Sequence, residues 1–240
     1  MATLHSFYLP PDAWHEPFTL AGSEAHHLDR VLRLKVGYTI RLFDGQGRHG
    51  TFSITSEDKR TVTLSPLELH TAQPASHRIT LAAGYSKALR RSWFIEKAVE
   101  LEAHALLFWQ GDFSQATIPD KEKDTWQSTI INAAKQCENP WLPEIGVIPN
   151  GIEELTAEVP RFTKTLCLYE GNTNGALLSH ADLATPGDTL LIIGPEGGFS
   201  PREIHHIHET GIPTVSLGNS ILRWETAAIV ALGIAWWAHQ

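Results

Sequence analysis

Leu190-Leu191-Ile192-Ile193-Gly194-Pro195-Glu196-Gly197-Gly198-Phe199-Ser200-Pro201-Arg202-Glu203-Ile204 is the stretch on which the fold of this 240-residue chain turns. The apolar run bounded by glycine and proline predicts a buried strand, followed by a tight loop and a helix start. Ser200 is placed as an N-cap, Pro201 takes the favoured first helical position, and Glu203 at N3 completes a capping box. Gly194, Gly197 and Gly198 permit positive φ and let backbone amides approach a ligand with no Cβ in the way. The spacing matches neither the dinucleotide fingerprint nor the phosphate loop. Taken alone, it leaves open a ligand loop or a turn that merely needs glycines.

A loop of similar design follows at Leu217-Gly218-Asn219-Ser220-Ile221-Leu222-Arg223-Trp224-Glu225-Thr226. Gly218 ends a strand, and a helix starting near Glu225 runs through Ile229, Val230, Leu232, Ile234, Trp236 and Trp237, apolar nearly all round. Such a helix has to be buried on every side, and a second subunit is the simplest cover for its outer face. Arg223 and Glu225 are the charges at its start, readable as a surface ion pair or as functional groups.

Working back toward the N-terminus, strands alternate with helices. Ile79–Tyr85 precedes a helix near Arg90–Ala103, and Leu106–Trp109 precedes one near Lys121–Cys137. The second carries Trp126, Ile130, Ala133 and Cys137 on one stripe. Further apolar runs at Thr165–Tyr169, Thr189–Ile193 and Pro213–Leu217 complete a parallel sheet covered on both faces. Before Leu69 the pattern is different. Thr39–Phe43, Thr51–Thr55 and Thr61–Leu64, separated by Asp44-Gly45, Gly47 and Asp58-Lys59, predict a small antiparallel sheet or barrel. The polar segment 71–77 marks the boundary, giving domains 1–72 and 73–240.

Composition bounds the function. The hydrophobic content of 42% supports a substantial core. No apolar run is long enough to span a bilayer, and His5, Asp12, His15 and Glu16 break the pattern of a leader, so a cytoplasmic protein with no membrane partner is expected. Cys137 and Cys167 suit a reducing compartment. The net charge of -8 argues against bulk electrostatic gripping of nucleic acid. The charge is uneven, however: residues 1–70 carry 7 basic and 8 acidic side chains, residues 71–160 carry 8 and 12, and residues 161–240 carry 4 and 7. Any RNA contact should therefore concentrate in the N-terminal part and just beyond the boundary.

Ser23–Lys35 reads as a short helix with Ala25, Leu28 and Leu32 inward and His26, Arg30 and Arg33 on the opposite face, a cationic stripe continued by Lys35. A solvated charged face and an RNA contact both fit it. Lys87, Arg90 and Arg91 form a second basic group. The thirteen histidines include His26-His27 and His205-His206-His208, but adjacent histidines on a helix diverge and no cysteine or aspartate stands at ligand spacing, so no metal is expected.

Ile193–Ser200, Leu217-Gly218, Ile221-Leu222-Arg223 and Glu225-Thr226-Ala227, in this order, resemble the C-terminal signature of the 16S ribosomal RNA uracil-N3 methyltransferases of the SPOUT class. Lys87, Arg90, Lys97-Ala98, Glu100-Leu101, Gln136-Cys137 and Pro143-Glu144-Ile145 match the middle of that family, and His26-His27-Leu28 with Val31–Gly37 match its small RNA-binding domain. The resemblance implies an α/β fold: a PUA-like β-barrel, then a SPOUT domain with a parallel sheet and a deep trefoil knot, working as a homodimer. It also implies S-adenosylmethionine as cofactor. The loops around Leu168 and Glu170, around Ile193, Gly194, Glu196, Gly197 and Gly198, and around Leu217, Gly218, Ile221, Leu222 and Thr226 would cradle this donor. The implied partner is 16S ribosomal RNA in the small ribosomal subunit, held by His26, Arg30, Arg33, Lys35, Lys87 and Arg90. The chain departs from the family at Glu102 (usually Gly), Glu138-Asn139 (usually Gly-Arg), Trp224 (usually small or Thr) and His5 (usually Arg), so two expected cations are missing.

Uracil N3 carries a proton and is buried in a base pair, so the target must be unpaired or flipped and its N3 deprotonated. Arg223 stays protonated and fits the stabilisation of charge on O2 and O4. Glu196 and Glu225 are the nearby carboxylates, neither assigned as the base. The competing expectations are a SPOUT enzyme acting on another RNA position, such as a ribose hydroxyl, and a non-catalytic RNA-binding assembly factor.

Overall fold

The computed structural model describes residues 4–58, 60–171 and 176–239, so Lys59 of the Asp58-Lys59 turn signal lies outside the described residues. The chain divides into two compact units, Met1–Pro74 with Ile131–Leu142, and Ala75–Ile130 with Pro143–Gln240.

In the first unit β1 (Ser6–Tyr8), β2 (Phe18–Ala21), α1 (Gly22–His26), β3 (Thr39–Phe43), β4 (Arg48–Glu57) and β5 (Thr61–Thr71) form one sheet with a short helix. The strand order is β1-β3-β4-β5-β2, antiparallel except for β1 beside β3. Alternate residues of β4 point inward, Phe52 and Ile54 among them, to meet Phe7, Phe18, Leu20, Ile40, Leu42, Val62 and Leu64. Phe18 and Phe52 pack edge to face at 5.0 Å. Residues from the end of a later helix also belong here: Lys135 Nζ lies 2.6 Å from Glu24 Oε1, and the Arg41 guanidinium donates to the Glu138 carbonyl.

The expected helix over Ser23–Lys35 is corrected. α1 ends at His26, a π-helical turn carries the chain through Leu32, and Arg33 is left-handed at φ 56°. Ala25 and Leu28 are buried as expected, while Leu32 is only half-buried. The wider π turn keeps Leu28 in the core while the Leu34 N–H closes back on the Leu28 carbonyl.

The second unit is built from β6 (His77–Gly84), α2 (Ala88–Glu100), β7 (Ala105–Trp109), the first half of α3 (Asp124–Cys137), whose residues from Ile131 on belong to the first unit, β8 (Glu144–Ile148), α4 (Ile152–Ala157), β9 (Lys164–Leu168), α5 (His180–Leu183), β10 (Gly187–Ile193), α6 (Pro201–Glu209), β11 (Thr214–Val215) and α7 (Trp224–Trp237). Its strands run β11-β9-β10-β6-β7-β8, every pair parallel. β8 was not anticipated as a strand. The central strands β10 and β6 are apolar on both faces, as covered parallel strands require. Among the described residues no helix is long and apolar enough to cross a membrane.

Two of the departures in sequence sit at special backbone positions. Glu102 and Glu138 are left-handed, at φ 58° and 59°. At Glu102 the chain closes a Schellman motif on α2: the Ala103 N–H donates to the Ala98 carbonyl and the Glu102 N–H to the Val99 carbonyl. Glycine holds this conformation without the Cβ penalty, which explains why it is the common residue there. Glu102→Gly is therefore expected to be neutral to stabilising, by up to about 1 kcal/mol and a rise in Tm of up to about 3 °C. Thermal unfolding checks this, and a clear fall in Tm would show that the Glu102 side chain contributes more than its strained backbone costs.

Candidate functional site

In a parallel sheet, ligands collect beyond the carboxyl ends of the strands. Here β6, β7, β9, β10 and β11 all end at that edge, and their following loops supply the site. The loop after β10 is seated on two glycines that the sequence reading passed over. A Cβ added at Gly84 would lie 2.3 Å from the Pro195 nitrogen and 2.5 Å from its Cα, and one added at Gly111 would lie 2.9 Å from Pro195 Cγ. The backbone of Gly194-Pro195 thus rests directly on the end of β6, and the Pro195 ring on the turn just after β7. The buried Trp109 indole donates to the Ile193 carbonyl at 3.1 Å, fixing the last residue of β10.

The far end of this loop is fixed by the anticipated capping box. Ser200 Oγ accepts from the Glu203 N–H at 3.2 Å, and Glu203 Oε2 accepts from the Ser200 N–H at 2.7 Å. Glu203 is fully buried, and its Oε1 accepts from the Asp112 N–H at 2.9 Å. Asp112 in turn accepts from Ser200 Oγ and is paired with Arg202 at 2.9 Å. These contacts, Arg202 first and Ser200 second, hold the Asp112 carboxyl below its ordinary range. α6 is thereby tied to the loop after β7. Within that loop Phe113 presses on Gly197, where a Cβ would come 2.9 Å from the Phe113 carbonyl oxygen.

The expected donor residues come together in part. Leu168, Glu170, Leu217, Gly218 and Leu222 line one small cavity of roughly 50 Å³ with Tyr169, Ser216, Ser220 and Ala227. Gly198 adjoins it, its added Cβ falling 3.0 Å from Glu170 Oε1, and Tyr169 meets Phe199 edge to face at 6.1 Å. Ile193 and Gly194 do not line it; Ile193, the last residue of β10, pairs with lining Leu168 of β9. Ile221 is 90% exposed on the rim, and Thr226 is exposed on the first turn of α7.

The charged residues are arranged differently from the simplest reading. Glu225 faces Arg90, Oε1 to Nε 3.8 Å, and makes no ion pair with Arg223. Glu196 receives no backbone amide and accepts instead from Arg90 Nη1 at 2.8 Å. The Arg223 side chain is exposed at the N-cap of α7. Trp224, the departure beside it, is buried and packs on Phe94 at 5.0 Å. Arg91, from the second basic group, is buried, stacked over Tyr85 at 4.5 Å and Trp126 at 5.1 Å.

In the first unit His26, Arg30, Arg33 and Lys35 are all exposed. Carboxylates temper them: Arg30 pairs with Asp29 at 3.2 Å, and Lys35 lies 3.3 Å from Glu57 and 3.5 Å from Asp29. Glu57 first, then Asp29, raises the Lys35 ammonium above its usual range. His26, Asp29, Arg30, Glu57 and Arg60 rim a cleft of roughly 290 Å³ floored by Ala25 and Val62. Lys87 is exposed just ahead of α2 in the second unit. Among the described residues no group of His, Cys, Asp and Glu converges as a metal site needs.

The sequence family described as an RNA methyltransferase domain matches residues 73–236, and the one described as an RNA methyltransferase PUA domain matches residues 20–67. Ribosomal RNA small subunit methyltransferase E of Mycobacterium bovis is 30% identical over 220 residues, covering 88% of this chain and 83% of that protein. The Synechocystis protein of the same name is 33% identical over 222 residues, covering 89% and 71%. Of solved structures, ribosomal RNA small subunit methyltransferase E from Neisseria gonorrhoeae bound to S-adenosyl methionine aligns with a TM-score of 0.83 at 27% identity, over 96% of each chain.

The seating of Pro195 generates a prediction. Gly84→Ala puts a methyl group into backbone that cannot swing aside, so it is expected to cost about 1–3 kcal/mol and to displace the loop after β10. Calorimetric unfolding reads the loss. An unchanged Tm would mean that the loop does not depend on this contact.

Proposed function

The chain belongs to the RNA methyltransferase family that includes the ribosomal RNA small subunit methyltransferase E proteins, and from that premise we propose that it transfers a methyl group from S-adenosylmethionine to N3 of one uridine in 16S ribosomal RNA. The observation that carries this reading is the convergence of the loops after β9 and β11 on one cavity lined by Leu168, Glu170, Leu217, Gly218 and Leu222, with Gly198 of the loop after β10 against Glu170. Its chemistry fits the donor: apolar side chains and backbone groups suit an adenine ring, and Glu170 suits hydroxyl or ammonium donors. The cavity opens to solvent, and the segment from Leu217 to Leu222, with exposed Ile221, borders it.

When bound, S-adenosylmethionine supplies an electrophilic methyl group on a sulfonium. The residues of this chain must orient that methyl toward N3, exclude water and stabilise the charge left when the N3 proton departs. Arg223 suits the last task, because an exposed guanidinium ahead of α7 can reach O2 or O4 of a base presented from outside. The division of labour follows the expected domains: residues 1–72 present His26, Arg30, Arg33 and Lys35 to RNA, and residues 73–240 hold the donor. Lys87 extends the RNA surface of the second domain, whereas Arg90 is already drawn to carboxylates. The trefoil knot belongs to this reading as well, supported by β10 and β11 flanking β9 on opposite sides. The reading places the protein in the cytoplasm, where its substrate, the small ribosomal subunit, is found.

Methyl transfer to small subunits that lack the modification, followed by nucleoside digestion and mass spectrometry, tests the chemistry. N3-methyluridine is the expected product, and methyl found only on ribose would sink the assignment. Titration calorimetry should show donor binding that Gly197→Trp abolishes, since Phe113 leaves no room at that loop. A folded wild-type protein that neither binds the donor nor methylates would be a non-catalytic RNA-binding factor.

The working form is a homodimer. Leu89 (86% exposed) and Trp93 on α2, with Val230 and Trp237 (68% exposed) on α7, leave large apolar side chains in water on a single chain. Sedimentation at micromolar concentration is expected to give a dimer that Trp237→Glu weakens; a wild-type monomer would refute it.

A further inference from the structure

We propose that Arg90, Glu196 and Glu225 form a positioning cluster whose surplus negative charge makes the donor site prefer the cationic sulfonium donor to the neutral thioether product. The inference rests on the donor assignment above and concerns discrimination between two ligands of that one site.

The geometry is specific. Arg90 on α2 reaches two elements that are separate in sequence. Its Nη1 donates to Glu196 Oε1 in the loop after β10 at 2.8 Å, and its Nε lies 3.8 Å from Glu225 Oε1 in the first turn of α7. Both elements adjoin the candidate donor site in sequence: Glu196 is two residues before Gly198, which abuts pocket-lining Glu170, and Glu225 is two residues before pocket-lining Ala227. The Glu196 and Glu225 side chains are 5% and 13% exposed, against 45% for Arg90.

The charges do not balance. One guanidinium serves two carboxylates, and no second cation pairs with either among the described residues. The remaining oxygens, Glu196 Oε2 and Glu225 Oε2, are buried with no hydrogen-bond partner. A buried, incompletely compensated carboxylate is costly unless other charge offsets it. A fixed positive charge arriving in the adjoining pocket does so through space, without touching either oxygen. The sulfonium of S-adenosylmethionine is such a charge, and it cannot be lost by deprotonation. Transfer breaks the S–CH₃ bond and forms the N–CH₃ bond, the sulfur keeping the electron pair as a neutral thioether, while the uracil N3 proton goes to solvent. The attraction therefore vanishes with the reaction, which favours release of the product. Arg90 acts here through the loops and not as a contact to RNA.

Equilibrium binding of S-adenosylmethionine and S-adenosylhomocysteine to the full-length protein, without RNA, tests this. Glu196→Gln and Glu225→Gln are each expected to lower the donor-to-product affinity ratio by roughly three- to tenfold, as removal of one charge near a protein surface predicts. Arg90→Met, which removes the cation and keeps both carboxylates, should move the ratio the other way. Opposite signs cannot come from simple loosening of the loops. Thermal unfolding identifies any variant that has lost its fold, and the remaining ones still give the sign. Parallel loss of affinity for both ligands, with the ratio unchanged, would overturn the proposal and leave a purely structural clamp. Binding of neither ligand by the wild type would overturn the donor assignment on which the proposal stands.

Discussion

The contact of Gly194-Pro195 with Gly84 and Gly111 is the constraint from which the site follows. β6 ends in Gly84 and the turn after β7 carries Gly111, so the Gly194-Pro195 backbone can lie on the first and the Pro195 ring against the second at distances a side chain would not allow. Because β6 and β7 are both interior strands of a parallel sheet, paired on either side, the loop after β10 rests on a closely packed support. The Trp109 indole fixes the start of the loop at the Ile193 carbonyl. The glycines within the loop, Gly197 and Gly198, then keep backbone rather than side chains facing Phe113 and Glu170.

Two polar devices finish what that contact begins, and they differ in kind. On the α6 side, Glu203 satisfies both its oxygens with backbone N–H groups, and Asp112 is matched by Arg202 and Ser200. A fully satisfied buried network rigidifies. On the α7 side, Arg90 stands between two carboxylates that each keep one oxygen unsatisfied. Such a network holds a position and also leaves a field. The site is therefore pinned firmly where its shape has to be constant and left electrostatically open where a charge has to come and go.

Local signals were legible in the sequence and distant ones were not. β3 reads off to the residue because alternation and the following Asp-Gly turn are both local, and the capping box at Ser200 and Glu203 appears as anticipated. β8 escaped because it is an edge strand, half-buried, opened by a proline and interrupted by Gly146, so its apolar pattern is thin. The π turn after His26 escaped because the spacing of Ala25, Leu28 and Leu32 reads equally well at the ordinary helical period. The seat of Pro195 joins residues 84, 111 and 195, and the charge cluster joins residues 90, 196 and 225. No periodicity connects positions so far apart, and only the stacking order of the strands brings them together. Glycines at the ends of two apolar runs were the available hint, since a strand that ends in glycine often marks close backbone approach.

The same bookkeeping of charges bears on how an acidic protein acts on RNA. Of the cations that the resemblance assigns to RNA, Arg30, Lys35 and Arg90 already have carboxylates nearby, whereas exposed Lys87 and Arg33 make no ion pair among the described residues. A phosphate that engages Lys35 must displace Glu57 and Asp29, so the exchange yields little net attraction and little of the counterion-driven affinity that basic proteins draw from nucleic acid. Affinity then has to come from shape and from a few unpaired cations placed in register. Free RNA offers neither in fixed form, while an assembled particle offers both. The electrostatics of the chain thus suit the proposed substrate, a folded ribosomal surface, better than they suit an unstructured strand.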